Sequence, residues 1–130
     1  MSPGRWNQVE SQIADALRRL TTDGGDNNFV IVSCGDFYVQ FAGARGSKQL
    51  YCEAVSNEYL AEDQALAPDQ IDRLEQLGFD LDAGSNQYSR QFKIPGESEI
   101  RELALTTLSI LADVYGCRRD SEVHLELTLE

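Results

Sequence analysis

A chain of 130 residues with 22 acids, 11 bases and a formal charge of -11 is long enough for one hydrophobic core. Its hydrophobic fraction of 42% and charged fraction of 25% are those of an ordinary globular domain, expected to span 1–130. The negative field repels phosphate backbones and anionic lipid surfaces, so no nucleic acid and no membrane is expected among its partners, and it draws basic ones in.

The opening, MSPGRWNQVE, lacks the basic region and apolar run of a secretory signal. The longest uncharged stretch, Leu103 to Ala112, is too short to cross a bilayer, so a cytoplasmic chain is expected. Ser2 as N-cap and Pro3 at the first helical position start a helix, and Trp6, Val9, Ile13, Leu17 and Leu20 recur along it at helical spacing. TTDGGDNN closes it as a loop.

Three strands in a meander follow. Phe29 to Ser33 is a continuous apolar run, and CGD is a turn. Phe37, Val39 and Phe41 then alternate with Tyr38, Gln40 and Ala42, GARGS turns again, and Gln49 to Val55 is the third strand. That strand breaks at Ser56 and Asn57 and runs out into Tyr59 and Leu60, a ring and a leucine beside Glu53 and Glu58.

Pro68 and Asp69 open a second helix with Ile71, Leu74 and Leu77 on one face. Gly78 suits a left-handed C-cap, with Phe79 placed to fold back on Leu74. DLDAGSN reads as a loop, and Gln87 to Ile94 as a strand with Tyr88, Arg90, Phe92 and Ile94 on one side. PGESE introduces the longest helix, ending near Gly116, and Val123 to Leu129 is a last strand with a leucine face. The order α-β-β-β-α-β-α-β predicts an α+β fold with a mostly antiparallel sheet and flanking helices.

The apolar residues of the long helix sweep roughly 220° of its circumference, where resting on one sheet needs a stripe a little over 100° wide. Either the first helix covers the surplus or a second subunit does. A homodimer seam through Leu105, Ile110 and Val114 is the favoured expectation.

Residues for chemistry are sparse. His124 is the one histidine, on a strand between Glu122 and Glu126, with no nucleophile elbow near it. Cys34, Cys52 and Cys117 have neither disulfide nor zinc spacing and read as reduced thiols, the first two in the core. DLDAGSN is too short for an EF-hand and lacks its closing glutamate. Asp69, Asp72 and Glu75 fall on the solvated side of their helix. No catalytic residue, metal or cofactor is expected. A binding surface remains, with Tyr38, Tyr51, Tyr59, Leu60 and Tyr88 as candidates to line it and an open sheet edge available for strand addition.

FYVQFAG, then LYCEAVSNEYL, then QLGF closing the second helix, then a strand and a long apolar helix, resemble the type III secretion chaperone-like (TY-Chap) family over about Phe29 to Gly116. The resemblance implies a small acidic protein, usually dimeric, that holds extended client peptides along apolar patches. It brings no catalytic residue, and it makes Glu53 to Leu60 a structural signature at the end of the third strand. The alternative is a small-ligand-binding regulatory domain with a pocket between sheet and helices.

Overall fold

The computed structural model describes residues 4–94, 96–118 and 121–130; the expected caps Ser2 and Pro3 lie outside them. Helix α1 (Gly4–Thr22) is followed by strands β1 (Asn28–Cys34), β2 (Phe37–Gly43) and β3 (Gln49–Ala54). After two single 3-10 turns come α2 (Pro68–Gln76), β4 (Asp80–Leu81), β5 (Tyr88–Lys93), α3 (Glu97–Ser109) and β6 (His124–Thr128). The strands form one antiparallel sheet in the order β4-β5-β3-β2-β1-β6, so the last strand closes onto β1 of its own chain.

Alternation sorts the strand residues onto two faces. Val30, Val32, Val39, Phe41, Leu50, Cys52 and Ala54 share the inner face and are all buried. Onto it pack Ile13, Leu17 and Leu20 of α1 and Leu103, Leu108 and Leu111 from α3 and its continuation. Helix α2 joins the same core through Leu74 and then stops by the expected device. Gly78 has φ +91°, its N–H donates to Glu75 O, and the Phe79 N–H donates to Leu74 O, the paired bonds of a Schellman cap. Leu74 and Phe79 are both fully buried.

Three features depart from expectation. DLDAGSN is not merely a loop, because Asp80 and Leu81 pair with Ser89 and Tyr88 as a short outer strand. Helix α3 widens into a π-turn at Ile110–Val114, which delivers Tyr115 to stack on Phe37 and donate its hydroxyl to Val55 O at 2.8 Å. The surplus apolar arc of α3 is taken up within the chain, since α1 packs along it and α2 packs on the π-turn. Ile110 and Val114 are consequently 1% and 2% exposed and cannot form a seam. Of the three expected seam residues only Leu105, 51% exposed, offers a side chain to a neighbour.

The buried Asn28 ties both ends of the fold together. Its Nδ2 donates to Leu20 O at 2.8 Å and Asp23 O at 2.9 Å, while its Oδ1 accepts from Gly25 N and Glu130 N. One amide therefore joins the end of α1, the following loop and the chain beyond β6. Gly24 lies so close, at φ +64°, that any side chain there would collide with Asn28. Replacing Asn28 by alanine removes all four bonds at once, among them the buried one to Leu20 O. It should cost about 3 kcal/mol in a urea melt, with the loss concentrated in amide protection of β1 and β6.

Candidate functional site

All three helices of the described residues lie against the inner face, so none of them covers the outer face of the sheet. Among the described residues, none of its strand side chains is buried. Register sets them in rows. One row runs Thr128, Phe29, Ala42, Tyr51, Gln91; the next runs Glu126, Ile31, Gln40, Glu53, Ser89, Asp80. In the first row the small Ala42 stands between two rings whose strands are roughly 10 Å apart. The result is a notch floored by alanine and walled by Phe29 and Tyr51. It continues into two open grooves of about 290 and 470 Å³ that share these three residues.

Polar groups frame the notch. Gln40 donates to Glu53 at 2.7 Å, and the Tyr51 hydroxyl lies 2.9 Å from Asp82 and 3.4 Å from Glu53. A phenol has a single proton, and the shorter contact assigns it to Asp82. Desolvation raises the titration of both Tyr51 and Tyr38, so both are neutral donors near pH 7. Asp82 is held below the ordinary carboxylate range, first by the Gly84 N–H and then by the Tyr51 hydroxyl.

The loop between β4 and β5 is fastened by the stretch that drew attention in the sequence. Ser56 donates to Asn86 O, Tyr59 to Ser85 O at 2.5 Å, and Tyr38 to Gln87 Oε1 at 2.6 Å. Asn57 clips the other side of the same segment, accepting from Leu66 N at 2.6 Å. Ser56, Asn57 and Tyr59 thus hold two loops in place at one end of the outer face.

Of the five residues expected to line a surface, Tyr38 and Tyr51 lie on the outer face. Tyr59, 52% exposed, stands at its end. Leu60 is half-buried against the core. Tyr88 is the correction. It pairs with Ala54 on the inner face, is 8% exposed, and cannot line the open side. Its parity with Phe92 and Ile94 is the signal. Phe29, Ile31 and Ala42 are outer-face residues that the sequence does not single out. The continuous apolar run of β1 hides which of its side chains face out.

Elsewhere, His124 is exposed on β6, 3.8 Å from Glu122. Cys34 and Cys52 are buried, and burial pushes the Cys52 thiol well up. No group of three or more metal-ligating side chains occurs among the described residues. Asp69, Asp72 and Glu75 are exposed on α2. No helix among the described residues is long and apolar enough to cross a membrane.

The molecule is thus an antiparallel sheet covered by helices on one side, with an aromatic-walled notch on the other. The family described as T3SS (YopN, CesT) and YbjN peptide-binding chaperone 3, TY-Chap3, matches residues 3–127. The chain belongs to the TY-Chap3 family. The match covers nearly the whole chain and bears out the resemblance read from the sequence, together with the α+β, secretion-chaperone-like fold. No curated protein and no solved structure matches the chain. As a TY-Chap3 member the chain is a peptide-binding chaperone module by family description.

The fastening of the loop is open to test by pH. The hydroxyl of Tyr51 lowers the folded-state titration of Asp82, so this tie is complete above the ordinary Asp value of about 3.9 and fades as pH falls through the depressed folded value. In Tyr51→Phe, Asp82 should titrate at higher pH by NMR, with the Gly84 N–H still holding it below an unperturbed aspartate. An unchanged Asp82 titration would mean that the hydroxyl serves another group.

Proposed function

We infer that this TY-Chap3 protein is a non-enzymatic, single-domain chaperone or adaptor that holds apolar segments of a client protein against the outer face of its sheet. The observation that carries this reading is the notch at Ala42 between Phe29 and Tyr51, on a face where none of the described strand side chains is buried. A client side chain seated there exchanges water for two ring faces and an alanine methyl. At about 25 cal/mol per Å² that burial favours binding without any charged partner. Glu53, Asp82 and Asp26 at the rims keep the remainder of the face wetted and the loaded complex soluble.

The expected partner is a client peptide, with no nucleic acid, in a cytoplasmic setting. The sequence-based case for a homodimer loses its support, because the apolar arc that motivated it is used inside the chain and leaves Leu105 alone. The small-ligand alternative has a counterpart in a groove of about 540 Å³ between β5 and α3 lined by Phe92, Leu103, Arg90, Lys93, Glu99 and Glu102. It opens at the rim of the sheet, beside the core residues Leu103 and Ile94.

Ala42→Glu fills the notch and adds a carboxylate while touching nothing buried. Its melting should stay within about 0.5 kcal/mol of the parent. Affinity for a fluorescein-labelled apolar peptide, and suppression of aggregation of a heat-unfolded client, should fall at least about tenfold. Undiminished binding in Ala42→Glu would remove the outer face from the mechanism.

A further inference from the structure

The sheet has two edges, and they are not alike. At the β5 edge, β4 covers Tyr88 and Ser89, leaving a short bare stretch above the α3 groove. At the other edge β6 is paired with β1 alone, along its whole length. Its free side is the longest unpaired run of backbone among the described strands.

Which backbone groups face out follows from the ladder. The Asn27 N–H donates to Glu130 O at 3.1 Å, so 27 and 130 are a hydrogen-bonded pair in the register that joins Phe29 to Thr128 and Ile31 to Glu126. Bonded and non-bonded pairs alternate in an antiparallel ladder. His124, Glu126 and Thr128 therefore direct their N–H and C=O groups at β1. Those of Leu125 and Leu127 point away from it, to the open edge.

The side chains of β6 are sorted with equal regularity. Val123, Leu125, Leu127 and Leu129 are half-buried along the inner face, packed against the core but incompletely covered. Every acid of the segment has the other parity: Glu122, Glu126 and Glu130, with Glu122 3.8 Å from His124 on that side. A strand laid beside β6 would thus continue an apolar row on one face and meet a row of carboxylates on the other.

We propose that the free edge of β6 accepts an extended basic segment with alternating apolar residues, as a seventh antiparallel strand. Its backbone bonds to Leu125 and Leu127, its apolar side chains extend the leucine row, and its lysines or arginines lie beside Glu122, Glu126 and Glu130. Charge decides the occupant. A second copy of this chain would bring another row of carboxylates, and another net charge of -11, to the same edge. This surface is separate from the notch at Ala42, so either can fail without the other.

The test uses a synthetic peptide of about eight residues, the length of an ordinary strand, alternating Lys and Val. Two comparators are the alternating Glu and Val peptide, and the Lys–Val peptide N-methylated on every second residue so that it cannot donate to the edge. The Lys–Val peptide should bind at least about tenfold more tightly than either, and less tightly as salt rises. It should slow amide exchange at Leu125 and Leu127, in the parent and in Ala42→Glu alike. Glu122→Lys combined with Glu126→Lys alters exposed positions only and should reverse the preference toward the Glu–Val peptide. Equal binding of the N-methylated peptide, or unprotected Leu125 and Leu127 amides in the complex, would overturn the proposal. Concentration-dependent protection of those amides without peptide would also overturn it, by giving the edge to a second copy.

Discussion

The structure depends on one constraint: a sheet of six strands has two faces, and the helices of the described residues cover only one. Burying the even-numbered residues of β1 and β3 and the odd-numbered ones of β2 against α1 and α3 sends every intervening side chain to the other side. A one-residue slip of β1 would put Phe29 and Ile31 in the core and expel Val30 and Val32. The four bonds of Asn28 at the start of that strand oppose such a slip. The open face is therefore an outcome of core packing, and the notch on it is an outcome of placing alanine at a single position of β2.

That face is not an ordinary solvated one. Antiparallel sheets with one wet side carry polar residues there, and the outer positions of β5 and β6 do so with Ser89, Gln91, His124, Glu126 and Thr128. The three middle strands add Phe29, Ile31, Tyr38, Ala42 and Tyr51 to the polar Ser33, Gln40, Gln49 and Glu53. The apolar row through Phe29, Ala42 and Tyr51 therefore lies beside a polar row through Gln40 and Glu53.

Much of the fold is legible in the sequence, because it is written in local terms. The alternation of FYVQFA marks β2 and its inner face, Pro68 and Gly78 bound α2, and Phe79 folds back on Leu74 as the cap requires. What escapes is whatever depends on pairing at a distance. Two residues at Asp80 and Leu81 become a strand only because β5 lies beside them. The breadth of the apolar arc on α3 reads as a need for a partner, and only the tertiary arrangement reveals α1 as that partner. The site divides in the same way. Tyr38 and Tyr51 are assigned to a face by the polarity of their own strands. Phe29 and Ile31 belong to a run with no polarity to read, and their exposure follows from the register with β2 and β6.

The stretch YCEAVSNEYL illustrates how a signature can mislead about its own role. A ring and a leucine after a strand suggest a docking point, yet Leu60 packs inward and the Tyr59 hydroxyl is spent on Ser85 O. Ser56 and Asn57 are likewise committed to Asn86 O and to Leu66. These residues are fasteners. They secure the hairpin loop that carries Asp82, and Asp82 in turn engages Tyr51 at the wall of the notch. The chain of contacts runs from Ser56 through the loop to the outer face, so this motif helps to set the shape of the notch. Its polar composition follows from that task, since hydroxyls and amides can hold loop carbonyls at fixed distances and a purely apolar segment could not.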